Sequence, residues 1–248
     1  MNVTKQAGLG LISAVAAISI STSSLAAEGD LPRQLSVTAY GTASSGYAQL
    51  LAIGNVLKEK YGTSIRIIPG KNDISRMIPL KKKIADYCAC SIASYFAQEG
   101  AAIFAVPDWG PQRLFNIFNS GRGDNGLSFL IAGDAGVKTW ADIKGKRVGT
   151  VVASPAVEYN TTGMLAFAGL SWDDVERVEF PGFKQMVSGI VTGQVDVVFG
   201  NTTGAYTEQL AASPRGLVWL PFPHDDEAAW DRFTAVAPYF NKLSVSEG

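Results

Sequence analysis

Apolar residues along this chain follow two habits: short runs rich in β-branched side chains, and longer stretches where they recur every three or four positions. Leu35 and Val37 begin a run of the first kind, and Leu50, Leu51, Ile53 and Leu57 then recur at helical spacing. Residues 41–46 lie between and hold two glycines and two serines, so the predicted order is strand, tight turn, helix. A second β-rich run at 65–68 ends at Pro69 and Gly70, after which Asp73 can cap a helix carrying Ile74, Met77 and Ile78. Pro79 is expected to kink or shorten that helix near Leu80. Residues 85–90 read as a third buried strand, 91–94 as a turn, 95–102 as an alanine-rich helix, and 111–118 as a further helix.

The same alternation returns in the second half. Residues 128–132 read as a strand, 133–136 as a break where the chain is expected to pass between two domains, and 140–143 as a helical turn opened by Thr139. Strands are predicted at 147–152, 178–180, 195–199 and 217–220, and helices at 156–170, 183–192, 205–212 and 228–236. Ser171 caps a turn at 172–175. Strands and helices alternating through short polar turns predict an α/β fold of two lobes, each a mainly parallel sheet flanked by helices, with a hinge between. Ligands of such sheets bind at the carboxyl ends of the strands, which puts the turns at 41–47, 71–73 and 91–94 on one rim. The expected boundaries are 27–136 for the first lobe and 137–236 for the second, with crossings near 133–137 and 222–226.

Composition narrows the class. Lys5, an apolar and small-residue run at 9–20, and Ser24-Leu25-Ala26 have the form of an export signal cleaved after residue 26, so a periplasmic location is expected. With 21 Lys and Arg against 22 Asp and Glu, no global field draws the chain to nucleic acid, and Lys81-Lys82-Lys83 reads as a solvated helix end. Cys88 and Cys90 share one face of a predicted strand and are expected as buried free thiols. His224 is the single histidine and stands far from them in sequence, so neither a metal site nor a cofactor is expected.

The chemistry-bearing patterns point away from catalysis. Gly41 and Gly46 have P-loop spacing, but Tyr47 stands where the phosphate-binding lysine belongs. The same turn does not match the Gly-x-Ser-x-Gly nucleophile elbow. His224-Asp225, adjacent on a proline-flanked acidic loop, does not make a triad, and Glu158 and Lys71 are the only loosely placed acid and base candidates. What the 41–47 turn does offer is donors: the Ser44 and Ser45 hydroxyls and the free N–H groups of a first helical turn, an arrangement suited to an anion. The ligand is therefore expected to be a small organic anion, its acidic group at 45–47 and its apolar part against Tyr47 or Tyr159. Arg66, Arg76 and Arg113 could each supply a clamp, and nothing local selects one.

Together the export signal, Thr38-Ala-Tyr-Gly-Thr-Ala-Ser-Ser-Gly46, Ile84-Ala-Asp-Tyr87, Trp140-Ala-Asp-Ile-Lys-Gly-Lys-Arg-Val148 and Thr192-Gly-Gln-Val-Asp-Val-Val198 resemble the TAXI branch of TRAP-transporter solute-binding proteins. The resemblance spans roughly residues 35–239, and the Trp140 piece is shared with many type II periplasmic binding proteins. It implies a two-lobed receptor, not an enzyme, expected as a monomer, that closes on a small organic anion such as an amino acid or dicarboxylate and delivers it to a TRAP membrane permease. An ABC-type receptor is the close alternative; an enzyme on the same scaffold and a sensor subunit for a membrane kinase are the others.

Carried over by position, the resemblance places ligand contacts at Ser44, Ser45, Gly46, Tyr47, Asn72 and Ser91 in the first lobe, and at Ser154, Ala156, Glu158, Asn201 and Thr202 in the second. Many relatives have small glycine and serine turns where this chain has Gly46-Tyr47, Lys71-Asn72-Asp73 and Ser154-Pro155-Ala156, which implies a narrower cleft with a different preference. Receptors of this kind return to the first lobe through a C-terminal segment, and 237–248 is expected to be the start of one, cut short.

Overall fold

The computed structural model describes residues 31–42, 44–118 and 126–244, so the expected export signal lies outside the described residues. In the first lobe β1 (Gln34–Tyr40) leads to α1 (Ser45–Tyr61), β2 (Ser64–Gly70) to α2 (Asp73–Lys81), and β3 (Tyr87–Cys88) to α3 (Ala93–Glu99). The three strands form a parallel sheet in the order β2-β1-β3. Local chemistry sets the helix ends. The Ser44 hydroxyl accepts the Tyr47 N–H at the start of α1, and Gly62, at φ 70°, turns its own N–H back onto the Leu57 and Lys58 carbonyls. Pro79 lies inside α2, which stops two residues later at Lys81.

The second lobe contains β4 (Leu127–Ala132), β5 (Arg147–Val151), α4 (Pro155–Phe167), β6 (Glu176–Phe180), α5 (Phe183–Val191), β7 (Val197–Asn201), α6 (Ala205–Ala211), β8 (Leu217–Val218) and α7 (Glu227–Val236). Its five strands run β6-β5-β7-β4-β8, with β5 parallel to β6 and β7 while β4 is antiparallel to β7 and β8. Alternation along β4 divides the core. Phe129 and Ile131 pack with Val197, Phe199, Met164 and Phe233 on one face, and Leu130 and Ala132 pack with Val198, Met186, Ile190 and Leu210 on the other. An aromatic block closes the first face: Trp140, Phe167, Phe222, Trp230 and Phe233 meet one another tilted or edge to face, and the two indole N–H groups donate to the Pro221 and Pro223 carbonyls.

Four expectations change. The lobe boundary drawn at 136/137 falls ahead of Leu127, because β4 pairs with β7 and β8 and not with β1 to β3. For the same reason neither expected crossing is one: residues 133–135 follow β4 within the second lobe, and Phe222 sits inside the aromatic block. The chain instead meets the first lobe again at Tyr239, whose ring packs on Tyr95 and Phe96. Residues 111–118 form no helix; Phe115, Ile117 and Phe118 are exposed, so the apolar stripe that suggested one has nothing to bury against. Finally, Cys88 and Cys90 are joined in a disulfide, not left as free thiols. The strand ends at Cys88 and the chain bends at Ala89, which sets the two α-carbons 5.1 Å apart, inside the ordinary range for a bridge.

Candidate functional site

The carboxyl ends of the parallel strands of both lobes face each other across a closed cleft, and the turns that leave them meet directly. Asn72, which caps α2 by accepting the Ser75 N–H, donates from Nδ2 to the Val152 carbonyl at 3.2 Å. The Phe183 N–H donates to the Lys71 carbonyl at 3.0 Å. Gly182 is needed there: a Cβ at that position would lie 2.9 Å from the Lys71 Cβ. Farther along, Asn201 donates to the Ser45 hydroxyl at 2.8 Å. Gly46 lets the first turn of α1 approach the end of β3, since its Cβ would stand 3.2 Å from that of Ala89.

At the centre lies a buried polar cluster shared by the lobes. Asp73, the first residue of α2, is fully buried; its Oδ1 accepts from Arg76 Nη2 and from the Tyr40 hydroxyl, both at 2.5 Å. Its Oδ2 accepts the Ala156 N–H, in the first turn of α4, at 2.8 Å. Tyr40 is also hydrogen-bonded to the Ser154 hydroxyl at 2.8 Å, and its ring lies parallel to that of Phe183. The Arg76 guanidinium sits 3.4 Å above the Tyr40 ring and donates from Nη1 to the Ala89 carbonyl. Burial drives the Tyr40 pKa far above its ordinary value, with the Asp73 charge adding to the rise and Arg76 opposing it, so the phenol stays protonated as a donor. One carboxylate thus gathers three donors from two lobes, at the positive end of a helix.

The residues expected from the sequence fall into three groups. Ser45, Asn72, Ser154, Ala156 and Asn201 are at the interlobe contact, and Gly46, next to Ser45, packs against Ala89 within the first lobe. Tyr159 borders it, tilted on Phe96 with ring centroids 4.8 Å apart. It lines a recess of about 320 Å³ with Ala102, Ile103, Ser154, Glu158 and Arg177. The others are engaged elsewhere or lie apart. The Ser44 hydroxyl caps α1, and the exposed Ser91 accepts from Ser94 through its carbonyl. Glu158 is paired with Arg177 and accepts from the Thr150 hydroxyl. Thr202 is bonded to Gly126 through both its N–H and its hydroxyl. Tyr47 is half-buried in the first turn of α1, where its N–H is used by the cap.

Sequence reasoning placed Tyr40 in a strand and Asp73 at a cap, and left Arg76 as one clamp among three. The Asp73-x-x-Arg76 spacing, which sets both side chains on one helix face, was the available signal. No helix among the described residues is long and apolar enough to cross a membrane.

A family model described as NMT1/THI5 like matches residues 123–222, the part of the chain that forms most of the second lobe. No curated protein matches the chain. Among solved structures it is similar to an ABC transporter/periplasmic binding protein from Brucella ovis with glutathione bound, at 15% identity and a TM-score of 0.51 over 76% of this chain and 58% of that one. It is also similar to the alkanesulfonate-binding protein SsuA from Xanthomonas axonopodis pv. citri bound to MOPS, at 20% identity and a TM-score of 0.45 over 67% and 53% of the two chains. A third is a glycine-to-alanine mutant of arginine-bound ArgBP from T. maritima, at 15% identity and a TM-score of 0.49 over 83% and 95%. The chain spans about half the length of the SsuA structures it matches. At these identities the likeness concerns the fold, which is the two-lobed one of periplasmic binding proteins.

Proposed function

We propose that this chain is an extracytoplasmic solute receptor that closes its two lobes on a small organic anion and hands it to a membrane permease. The observation that carries the reading is the meeting of both strand-end rims, with the amino ends of α1 and α4 directed at one cleft through Ser45 and Ala156. Helix amino ends favour negative charge there, and the contacts are of the kind that hinge closure makes and breaks. Glu158, the one carboxylate suggested as a catalytic acid, is committed to Arg177, which supports a receptor over an enzyme.

For the permease, the sequence motifs support a TRAP partner of the TAXI type. The likeness to the Brucella ovis protein, described as belonging to an ABC transporter, supports the ABC reading at least as well. Pull-down of the membrane partner separates them: a TRAP membrane subunit settles for the first, an ATPase-coupled permease for the second.

The test of the receptor reading is a thermal-shift panel of amino acids, dicarboxylates, short oxo-acids and glutathione, followed by calorimetry. A true ligand at 100 times its Kd adds roughly 2.7 kcal/mol to stability. Gly46→Leu, which forces a side chain against Ala89, should weaken that binding at least about tenfold. Binding of neutral sugars with no response to any acid would end this reading.

A further inference from the structure

We propose that the recess beside Tyr159 is a further binding site, and that it takes an amphipathic amine: an apolar body carrying a cationic head. The recess holds about 320 Å³, at the lower end of the range for small-molecule sites, and both lobes line it. Its walls are apolar and open. Ile103, from the first lobe, is 40% exposed, and Val152 and Tyr159, from the second, are 52% and 37% exposed. Two wall residues also hold a costly backbone: Ala102 and Ala153 stand at φ 53° and 57°, a left-handed conformation that non-glycine residues adopt at a loss and that gathers at ligand sites.

The charged side of the recess selects the sign of the occupant. Arg177 is held between two carboxylates: its Nη1 and Nη2 donate to Glu158 at 2.7 and 3.0 Å, and its Nε and Nη2 reach Glu179 Oε1 at 3.2 and 3.0 Å. All three guanidinium nitrogens are thus engaged, and an incoming acid finds no unpaired cation. Glu158, Arg177 and Glu179 are the charged residues that line the recess, so one negative charge is in excess. It falls to Glu179, whose side chain is 55% exposed and whose Oε2 has no hydrogen-bond partner among the described residues. An ammonium group beside Glu179 balances that charge, and an apolar body then covers Tyr159, Val152 and Ile103. Because Ile103 and Tyr159 belong to different lobes, the occupant also holds the lobes together.

The test is calorimetric titration of the wild-type protein with two probes that share a phenyl ring and a two-carbon chain, phenethylamine and phenethyl alcohol. The amine is expected to bind with a Kd of about 1 mM or tighter, and at least about threefold tighter than the alcohol. That margin should shrink as salt is raised to about 0.5 M. Glu179→Gln should bring the amine to within about twofold of the alcohol. Ile103→Arg, which fills the recess and adds a positive charge, should abolish the binding of both probes. No binding of either probe below about 10 mM, or an amine no tighter than the alcohol, would overturn the site. So would an amine preference unchanged in Glu179→Gln, or binding to Ile103→Arg at the wild-type level. The amine is opposite in sign to the ligand proposed for the cleft, so failure here leaves the receptor reading to its own panel of acids.

Discussion

The two sheets of this protein bury themselves to very different degrees. In the second lobe β4 and β7 are covered on both faces, and Phe129, Ile131, Val197 and Val198 are shut off from solvent. In the first, α1 has no buried residue at all, and Leu51, Val56 and Tyr61 on it are about half exposed. The first lobe's own core is a small cluster around Met77, Ala93, Phe96 and Phe104, and it takes in Ala156 from the other lobe and packs against Tyr239. Apolar periodicity specifies an element but not how deeply it is covered. α1 and α5 both carry apolar residues at helical spacing and both lie on a sheet, α1 over β2 where Gly54 approaches Ile65, yet only α5 buries apolar residues there, Met186, Val187 and Ile190.

The largest expected effect tests the better-covered side. Phe129→Ala should destabilise the protein by about 3–5 kcal/mol in urea unfolding, since the ring is completely enclosed and the sheet around it cannot collapse into the space. A loss below 1 kcal/mol, on the order of a surface change, would erase the contrast.

Next in size is the charged anchor of the second lobe. Asp196 accepts from Arg147 Nε and Nη2 and from Arg215 Nη2, and Arg215 also donates to the Ile190 and Val195 carbonyls. Burial pushes the Asp196 carboxyl up, but the hydrogen bonds from the two arginines outweigh it and hold the group below the usual carboxylate range. A depressed folded pKa stabilises above the unfolded value, about 3.9, and that stability is lost as pH falls through the lower folded value. The urea midpoint of wild type should therefore drop between about pH 5 and pH 2.5, and that of Asp196→Asn should drop less. At pH 7 the variant should cost roughly 1–3 kcal/mol. Parallel pH profiles for the two proteins would show that the pair contributes nothing.

The smallest effect belongs to α1. Leu51→Ser/Val56→Ser should alter stability by no more than about 0.5 kcal/mol per site while lowering the binding of a hydrophobic dye. A large destabilisation would mean that this face is covered after all.

How far the sequence could be read depended on distance along the chain. The β1–turn–α1 unit was legible because an apolar run, two glycines and a serine cap are all local signals, and the structure starts α1 at Ser45. β4 was recognised as a strand and assigned to the wrong lobe: its partners in β7 and β8 lie some seventy to ninety residues away, and no local pattern encodes that pairing. The cysteine pair was misread because a flat strand was assumed where the chain turns after Cys88. At the candidate site the turns themselves were foreseen, so Ser45, Asn72, Ser154, Ala156 and Asn201 were named. The groups at its centre, Tyr40, Asp73 and Arg76, owe their burial to the apposition of two lobes, and a cap, a strand residue and a helix arginine look ordinary until that apposition is known.

The antiparallel course of β4 has a mechanical corollary. Because it runs against β7, its amino end Leu127 lies opposite Asn201, and Gly126 is pinned to Thr202 by two hydrogen bonds of 2.9 Å. The chain therefore enters the second lobe at the rim itself. Strands in a sheet are about 4.8 Å apart, and the order β6-β5-β7-β4 places the exit of β7 one spacing from that entry and the exit of β6 three. A lobe rotation about Gly126 would act as a lever, carrying the Lys71–Phe183 contact about three times as far as the Ser45–Asn201 contact. Such a rotation would open the mouth on the α5 side and leave the edge beside Asn201 nearly in place.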